Sequence, residues 1–405
     1  MKRLSALHRV RLLRKAVIRA RRRKRRLARR HGAAPGKSSA MSNSKTTNAL
    51  HTISIYRRGE FRRSIARRRT EMPSVFCLEE NHDEVAKFLS DLRRTLSISG
   101  QRLGRLRMTG GFRARARRQT IYNYIDFASM DRITPAAALA LASEYDRANS
   151  LFDIEELLQA INLERWKAEV RTTLQDVGFL SLLGVDPPKE HLEARDGVYA
   201  VPFISGTKVD GAVIDVMIRS LADFAQGRGV GDSDALLSRS RVYDGLGEAI
   251  QNVEDHAYPD GAVFAYPIVK RWWMTGAVEP AKKRFNLMIY DQGVTIPVSL
   301  PRWSQIDEFK ASFVKAFNRE FVPDDSDRDG ETIAHAVQLG RSSTGESWHG
   351  KGLPLMREIV ENASAGSLRI FSRRGAYVYR LGQSPTSKTF PVPLLGTLVE
   401  WDLYL

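Results

Sequence analysis

GLGEAIQNVEDHAYPDG, residues 245–261, is amphipathic, yet its polar face carries a carboxylate, an amide and an imidazole at regular spacing. At about 3.6 residues per turn, Val242, Leu246, Ile250, Val253 and Ala257 form one apolar stripe. Glu248, Asn252 and His256 then fall together on another face. Taken alone, such a stretch is equally an ordinary surface helix showing its polar residues to water. Its meaning depends on the segments downstream.

Three later segments fall in order behind it. MIYDQGVTIP is an apolar strand ending at Asp291, followed by Gly293. GRSSTGESWHGKGLPLMREIVE is a Ser/Thr- and Gly-rich loop feeding a helix. GTLVEWDLYL sets a glycine and a hydroxyl residue, Gly396 and Thr397, before a terminal strand. Each segment is weak alone; order and spacing give them weight together.

This order resembles the GHKL superfamily, named for gyrase, the heat-shock chaperone class, histidine kinases and MutL, whose ATP-binding domain is the Bergerat fold. The resemblance covers roughly residues 200–405. It implies ATP and Mg²⁺ as cofactors, with Asn252 as the metal ligand and Glu248 as the catalytic base that orients or deprotonates the attacking water. Mg²⁺ takes hard oxygen ligands and draws most of its shell from phosphate and water, so one protein amide can suffice. A carboxylate one turn away is placed for base work.

The resemblance further implies that Asp291 reads the adenine amino group and that Gly293 admits backbone close to the base; the alternative for Asp291 is a plain strand-to-turn aspartate. Where the family has D-x-G-x-G, this chain has Thr295 for the second glycine, tolerable if that residue needs no positive φ. Gly350 and Gly352 precede a helix whose amides would cradle phosphate, with Lys351 or Arg341 adding charge. Ser342, Ser343 and Thr344 would bond phosphate or merely keep a lid flexible. Pro354 stands where many relatives have a third glycine and suits a first helical turn. Thr397 lies near the pocket in this likeness, and His256 is assigned a structural role.

The expected fold class is α+β. A C-terminal Bergerat-type sandwich over residues 197–405, a mixed sheet with helices on one face, follows a small α/β domain over 72–150 and a helical connector over 151–196. VYAVPFI, AVFAYPIVKRWWM and FNLMIYDQG read as strands, GSLRIFSRRGAYVYRL as a hairpin and IEELLQAINLERWKAEVRTTLQDVGFLSLLGV as one or two helices. Within 72–150, EVAKFLSDLRRTLSI reads as a helix, GQRLGRLRMTGGFRARARRQ as a basic loop and QTIYNYIDFASM as a strand. TPAAALALASEYDRA is a helix opening at Thr134 and Pro135. This small unit is faintly similar to STAS domains, without their Asp-Ser-Ser pattern.

The 405 residues leave room for roughly two or three domains, and 42% hydrophobic content suits a packed chain. No apolar run approaches the ~20 residues that cross a bilayer. Cys77 is the sole cysteine, so disulfides within the chain and cysteine-zinc sites are excluded, and a reducing, cytoplasmic setting is expected. No H-E-x-x-H or paired histidine spacing suggests a transition metal.

The net charge of +18 belongs to the front: residues 1–40 hold 16 Lys or Arg and no acid, whereas residues 121–405 are net acidic. Residues 1–71 are expected to be a basic, disordered segment. It would grip nucleic acid, lie on an anionic membrane surface, act as a targeting peptide, or precede a true start at Met41. Partners expected are a protein bound through the N-terminal α/β unit or the lid, and nucleic acid through the basic segment; an oligomer is allowed. Three functions remain open: an ATP-dependent switch with slow hydrolysis, a Ser/Thr protein kinase, and a nucleotide-binding scaffold without turnover.

Overall fold

The computed structural model describes residues 52–57, 60–64, 72–108, 119–153, 158–160, 162–185, 197–227, 230, 240–342 and 352–404. The Arg-rich opening, the Met41 start and most of the lid, including Ser343, Thr344, Gly350 and Lys351, lie outside these residues.

The N-terminal part begins earlier than Met72. Strands β1 (Thr52–Arg57) and β2 (Glu60–Ser64) pair antiparallel, inside the stretch expected to be disordered. After β3 (Val75–Phe76) comes helix α1 (His82–Met108), which runs through the start of the expected basic loop. Gly100 does not end the helix: a Cβ there would lie 2.1 Å from the Phe152 ring, so the glycine admits that ring instead. Strand β4 (Gln119–Ile125) pairs with β1, β5 (Arg132–Ile133) with β3. Helix α2 (Pro135–Phe152) opens as the sequence indicates, with the Thr134 hydroxyl accepting from the Ala137 N–H and proline in the first turn.

Part of the expected connector helix is a strand. β6 (Leu158–Ala160) pairs parallel with β4, and helix α3 (Ala168–Val177) follows, ended by Gly178 at φ +93°. These residues are no separate linker, because Trp166, Val170, Leu174 and Phe179 share one core with α1 and α2.

Beyond residue 197, VYAVPFI becomes two short strands, β7 (Tyr199–Ala200) and β8 (Ile204–Gly206), separated around Pro202. Helices α4 (Gly211–Gln226) and α5 (Ser240–Asn252) precede β9 (Trp272–Glu279) and β10 (Arg284–Asp291). The strand expected from Ala262 starts only at Trp272; Pro267 lacks the N–H a ladder needs. Helices α6 (Ile306–Phe317), α7 (Asp329–Ser342) and α8 (Gly352–Glu361) lead to β11 (Ala365–Arg380) and β12 (Thr386–Tyr404).

The expected hairpin over 366–381 is one long strand. Its SRRG stretch forms a register shift with Arg373 at φ +52°, which bends the strand without reversing it. The Arg373 Nε donates to the buried Asp329 carboxylate at 2.7 Å, and the Arg374 N–H donates to it at 2.9 Å. The true hairpin joins β11 to β12.

The sheet runs β11-β12-β10-β9-β7, with β8 also on β9, and every described pair is antiparallel, not mixed. Sequential hairpins and the return of β12 beside β10 require no parallel crossover. Both faces are covered, rather than one. Phe285, Leu287 and Ile289 of β10 pack with α4, α5, α7 and α8, while Met288 and Tyr290 pack with α1 and α2. The period-two alternation of a strand sends successive residues to opposite cores.

Asp329→Ala would strand the Arg373 guanidinium at the bend, at a cost of about 3–5 kcal/mol. Urea unfolding of the variant against wild type should show a correspondingly lower midpoint.

Candidate functional site

The apolar stripe of α5 does what its spacing predicts: Val242, Leu246, Ile250, Val253 and Ala257 are all buried against the sheet and neighbouring helices. Glu248, Asn252 and His256 are thereby turned to a cavity of about 520 Å³. The Asn252 Nδ2 donates to the Glu248 carbonyl at 2.9 Å, which leaves Oδ1 as the atom available to a ligand. After Asn252 the helix widens into a π turn, Val253–Ala257, a feature common at functional sites. Burial raises the Glu248 carboxyl above its ordinary value, and the nearby Asp255 charge adds to that. Burial also lowers the His256 imidazole, with Asp255 opposing. His256 lines the cavity, which the structural assignment from sequence did not anticipate.

The facing wall is the end of β10. Continuing its alternation, Asp291 lies on the side of Phe285, Leu287 and Ile289, and it lines the same cavity. Burial pushes its carboxyl up to about 7, against the Gly293 N–H bond at 2.8 Å, the Arg93 charge and a backbone bond from Thr397. Gly293 must be glycine for contact, since a Cβ would lie 2.2 Å from the Ala257 carbonyl oxygen. The Val294 N–H donates to that same carbonyl at 2.8 Å, tying the strand end to the helix end.

Gly396 has φ +127°, and a Cβ on it would lie 1.9 Å from the Asp291 carbonyl oxygen. It allows Thr397 to sit directly opposite Asp291 in the β10–β12 register. The Thr397 hydroxyl bonds to the Ser372 hydroxyl at 2.8 Å, and Ser372 Oγ accepts from the Ile296 N–H.

Thr295 does adopt positive φ, +50°, so the condition set for its tolerance is not met. A β-branched residue there is strained, by about 1–3 kcal/mol. The residue lines the cavity, while its Oγ1 is buried with no hydrogen-bond partner among the described residues.

Glu248, Asn252, Asp291, Thr295 and Thr397 therefore meet in one cavity, with Gly293 and Gly396 shaping its wall. Gly352 opens α8, while Ser343, Thr344, Gly350 and Lys351 fall outside the described residues. Sequence reasoning missed Trp303 and Arg302, which line the cavity from an irregular segment with no periodic signal. It also missed Ser372, in the middle of a strand taken for a hairpin turn. Ile289, Ile296, Leu353, Met356 and Val399 add apolar wall, alongside the polar Gln251, Asp255, Ser299 and Ser304. A cavity of this size, with carboxyl, amide and hydroxyl groups set among apolar side chains, suits a small molecule that is part apolar and part polar.

No protein-family model matches the chain, and no curated protein matches it significantly in sequence.

A carboxyl raised to about 7 in the folded chain, from about 3.9 unfolded, makes stability fall as pH climbs through that window and level off above it. Asp291→Asn removes this penalty, so at pH 8 the empty variant should melt above wild type, by an amount on the order of a few kcal/mol, with little difference at pH 4. Thr295→Gly, relieving positive φ, should raise thermal stability by about 1 kcal/mol.

Proposed function

We propose that this chain is a GHKL-type protein whose C-terminal half is a Bergerat fold, that it binds Mg²⁺-ATP, and that it works as an ATP-gated switch with slow hydrolysis. The observation that carries the reading is the meeting of Asp291 and Thr397 with Glu248 and Asn252 across one cavity. The buried Asp291 carboxylate would accept from the adenine amino group, with the ring between Ile289, Ile296, Met356 and Val399.

Asn252 Oδ1 would ligate Mg²⁺, which when bound neutralises charge on the phosphate chain. Glu248 would hold the attacking water and take its proton, a task favoured by its raised pKa. Amides at the start of α8 from Gly352, together with Gly350 and Lys351, would cradle phosphate, and Ser343 and Thr344 would close over it. Binding changes the protein's conformation only through unequal affinity for open and closed states.

The same site would act as a Ser/Thr kinase if Glu248 faced a hydroxyl instead of water. The partner would be a protein held by the N-terminal unit or the lid. The Arg-rich front would attach the chain to nucleic acid, a reading supported by the charge asymmetry of the sequence. A cytoplasmic setting accords with the single cysteine; no helix among the described residues is long and apolar enough to cross a membrane.

Calorimetry with ADP and ATP, and phosphate release with Mg²⁺, test the central claim. Asp291→Asn should weaken binding by about 100-fold or more. Glu248→Ala should keep binding and lower turnover by about 10²–10⁴-fold. Asn252→Ala should lose the Mg²⁺ dependence. A wild-type chain that binds no adenine nucleotide ends the reading. For the basic front, affinity for arbitrary DNA or RNA should fall steeply with salt and vanish when residues 1–40 are deleted.

A further inference from the structure

Behind the Asp291 wall lies a buried polar cluster that the expected roles leave unused. Glu144, on α2, has no exposed surface. Arg93 of α1 grips it with Nε, at 2.9 Å, and with Nη2, and Arg147 Nη2 donates to it at 3.2 Å. The remaining partner is Gln292, whose Nε2 donates to Glu144 at 3.0 Å and to Ser143 Oγ at 3.1 Å.

The same Nη2 that bonds Glu144 also reaches β12. Arg93 Nη2 donates to the Leu395 carbonyl at 3.0 Å, and Tyr290 OH donates to that carbonyl at 2.8 Å. Gln292 adjoins Asp291, while Leu395 stands two residues before Thr397. One ion pair contributed by the N-terminal helices therefore holds the chain beside both polar residues on this wall. The Gln292 N–H is fixed from the opposite side by the Tyr258 hydroxyl at 3.0 Å.

Resting on the nucleotide reading, we infer that Arg93 and Glu144 are positioning residues of the nucleotide site: they set the placement and charge state of Asp291, so that base affinity depends on how α1 packs against α2.

A buried ion pair of this kind is seldom retained for stability, because an apolar replacement of equal volume is often neutral. Here its position gives it a second effect. The Arg93 charge favours ionised Asp291, the form that accepts a hydrogen bond from an amino group. Glu144, bonded to Arg93 and of opposite charge, would by Coulomb's law oppose that field. The other charged or titratable groups around Asp291 are Arg147, which bonds Glu144; Tyr258 and Tyr290 beside it; and Glu248, Asp255, His256 and Arg302 lining the same cavity. Among these, Arg93 and Glu144 are an opposed pair on two different helices, so their effects on Asp291 have opposite signs. By reciprocity, base binding would favour the arrangement of α1 and α2 that keeps Asp291 ionised.

The test uses the full chain as wild type, Arg93→Gln, Arg93→Lys and Glu144→Gln. Asp291 is titrated by carboxyl ¹³C NMR without ligand, its signal assigned by its loss in Asp291→Asn, and ADP affinity is measured by calorimetry from pH 5.5 to 9. Arg93→Gln should move the Asp291 midpoint up by about one pH unit, weaken ADP several-fold at pH 7 and regain most of that affinity at pH 9. Glu144→Gln should move the midpoint down, and Arg93→Lys should restore it toward wild type. If Arg93→Gln does not fold, the downward move in Glu144→Gln and the behaviour of Arg93→Lys carry the test. Midpoints that stay fixed, or move the same way in Arg93→Gln and Glu144→Gln, overturn the inference, whatever happens to melting temperature. Midpoints that move as stated in a protein that binds no ADP uphold the positioning of Asp291 and overturn the nucleotide reading instead.

Discussion

The structure turns on β10, a strand paired on both edges and buried on both faces. Its ladder partners are β9 and β12, and its side chains alternate between two separate hydrophobic cores. That constraint fixes where its last residue lies. A one-residue slip would send Asp291 to the α1–α2 side and Tyr290 to the cavity, exchanging a carboxylate for a ring. Burial on both faces also removes water from the strand end, so Asp291 ionises only with the help of nearby N–H groups and a positive charge. The polarity of the site is thus a consequence of the packing around it.

The same constraint explains why the N-terminal unit is continuous with the C-terminal one. Had helices covered only one face, Trp273, Met288, Tyr290, Phe371 and Leu398 would meet water; instead α1 and α2 seal them. Sealing an apolar face needs no ion pair, yet this interface contains Arg93, Glu144, Arg147 and Asp146. The Trp273 Nε1 donates to Asp146 at 3.0 Å, and Arg271 reaches it from just before the start of β9. Arg93 and Arg147 both bond Glu144, which also bonds Gln292 just past the end of β10, whereas Asp146 holds the start of β9.

Much of the site was legible in the sequence because it depends on short-range rules. The 3.6-residue spacing of Val242, Leu246, Ile250 and Val253 fixed the polar face of α5, and the apolar run ending in Asp-x-Gly fixed the strand end. Two-sided burial was also written in FNLMIY, a nearly unbroken apolar run where a half-exposed strand would alternate. What sequence reasoning lacked was the partner for the second face: nothing in α1 or α2 announces which strand they will cover. The hairpin misread in β11 has a similar cause. SRRG resembles a turn locally, but Asp329, more than forty residues earlier, supplies the carboxylate that holds Arg373 at positive φ and lets the strand continue. Trp303 and Arg302 reach the cavity from a segment without periodicity, so no local pattern could have assigned them.

Thr295 joins local conformation to the cavity. From sequence it weakened the glycine pattern, since a threonine replaced the second glycine. In the fold the backbone at that position has the positive φ for which glycine is the natural residue. The backbone there takes a shape that glycine adopts most easily, and the chain bears strain to adopt it with a threonine. Strain of that size persists only where surrounding contacts over-determine the backbone. Here they are the Val294 N–H on Ala257, the Ile296 N–H on Ser372 and the close fit of Gly293 against Ala257. What the substitution adds is a β-branched side chain in the cavity wall that Ile296, Asp291 and Thr397 also line, with its hydroxyl buried and without a hydrogen-bond partner among the described residues. A glycine would have spared both the strain and the buried hydroxyl, so the residue that departs from the pattern is also one whose side chain builds this part of the cavity wall.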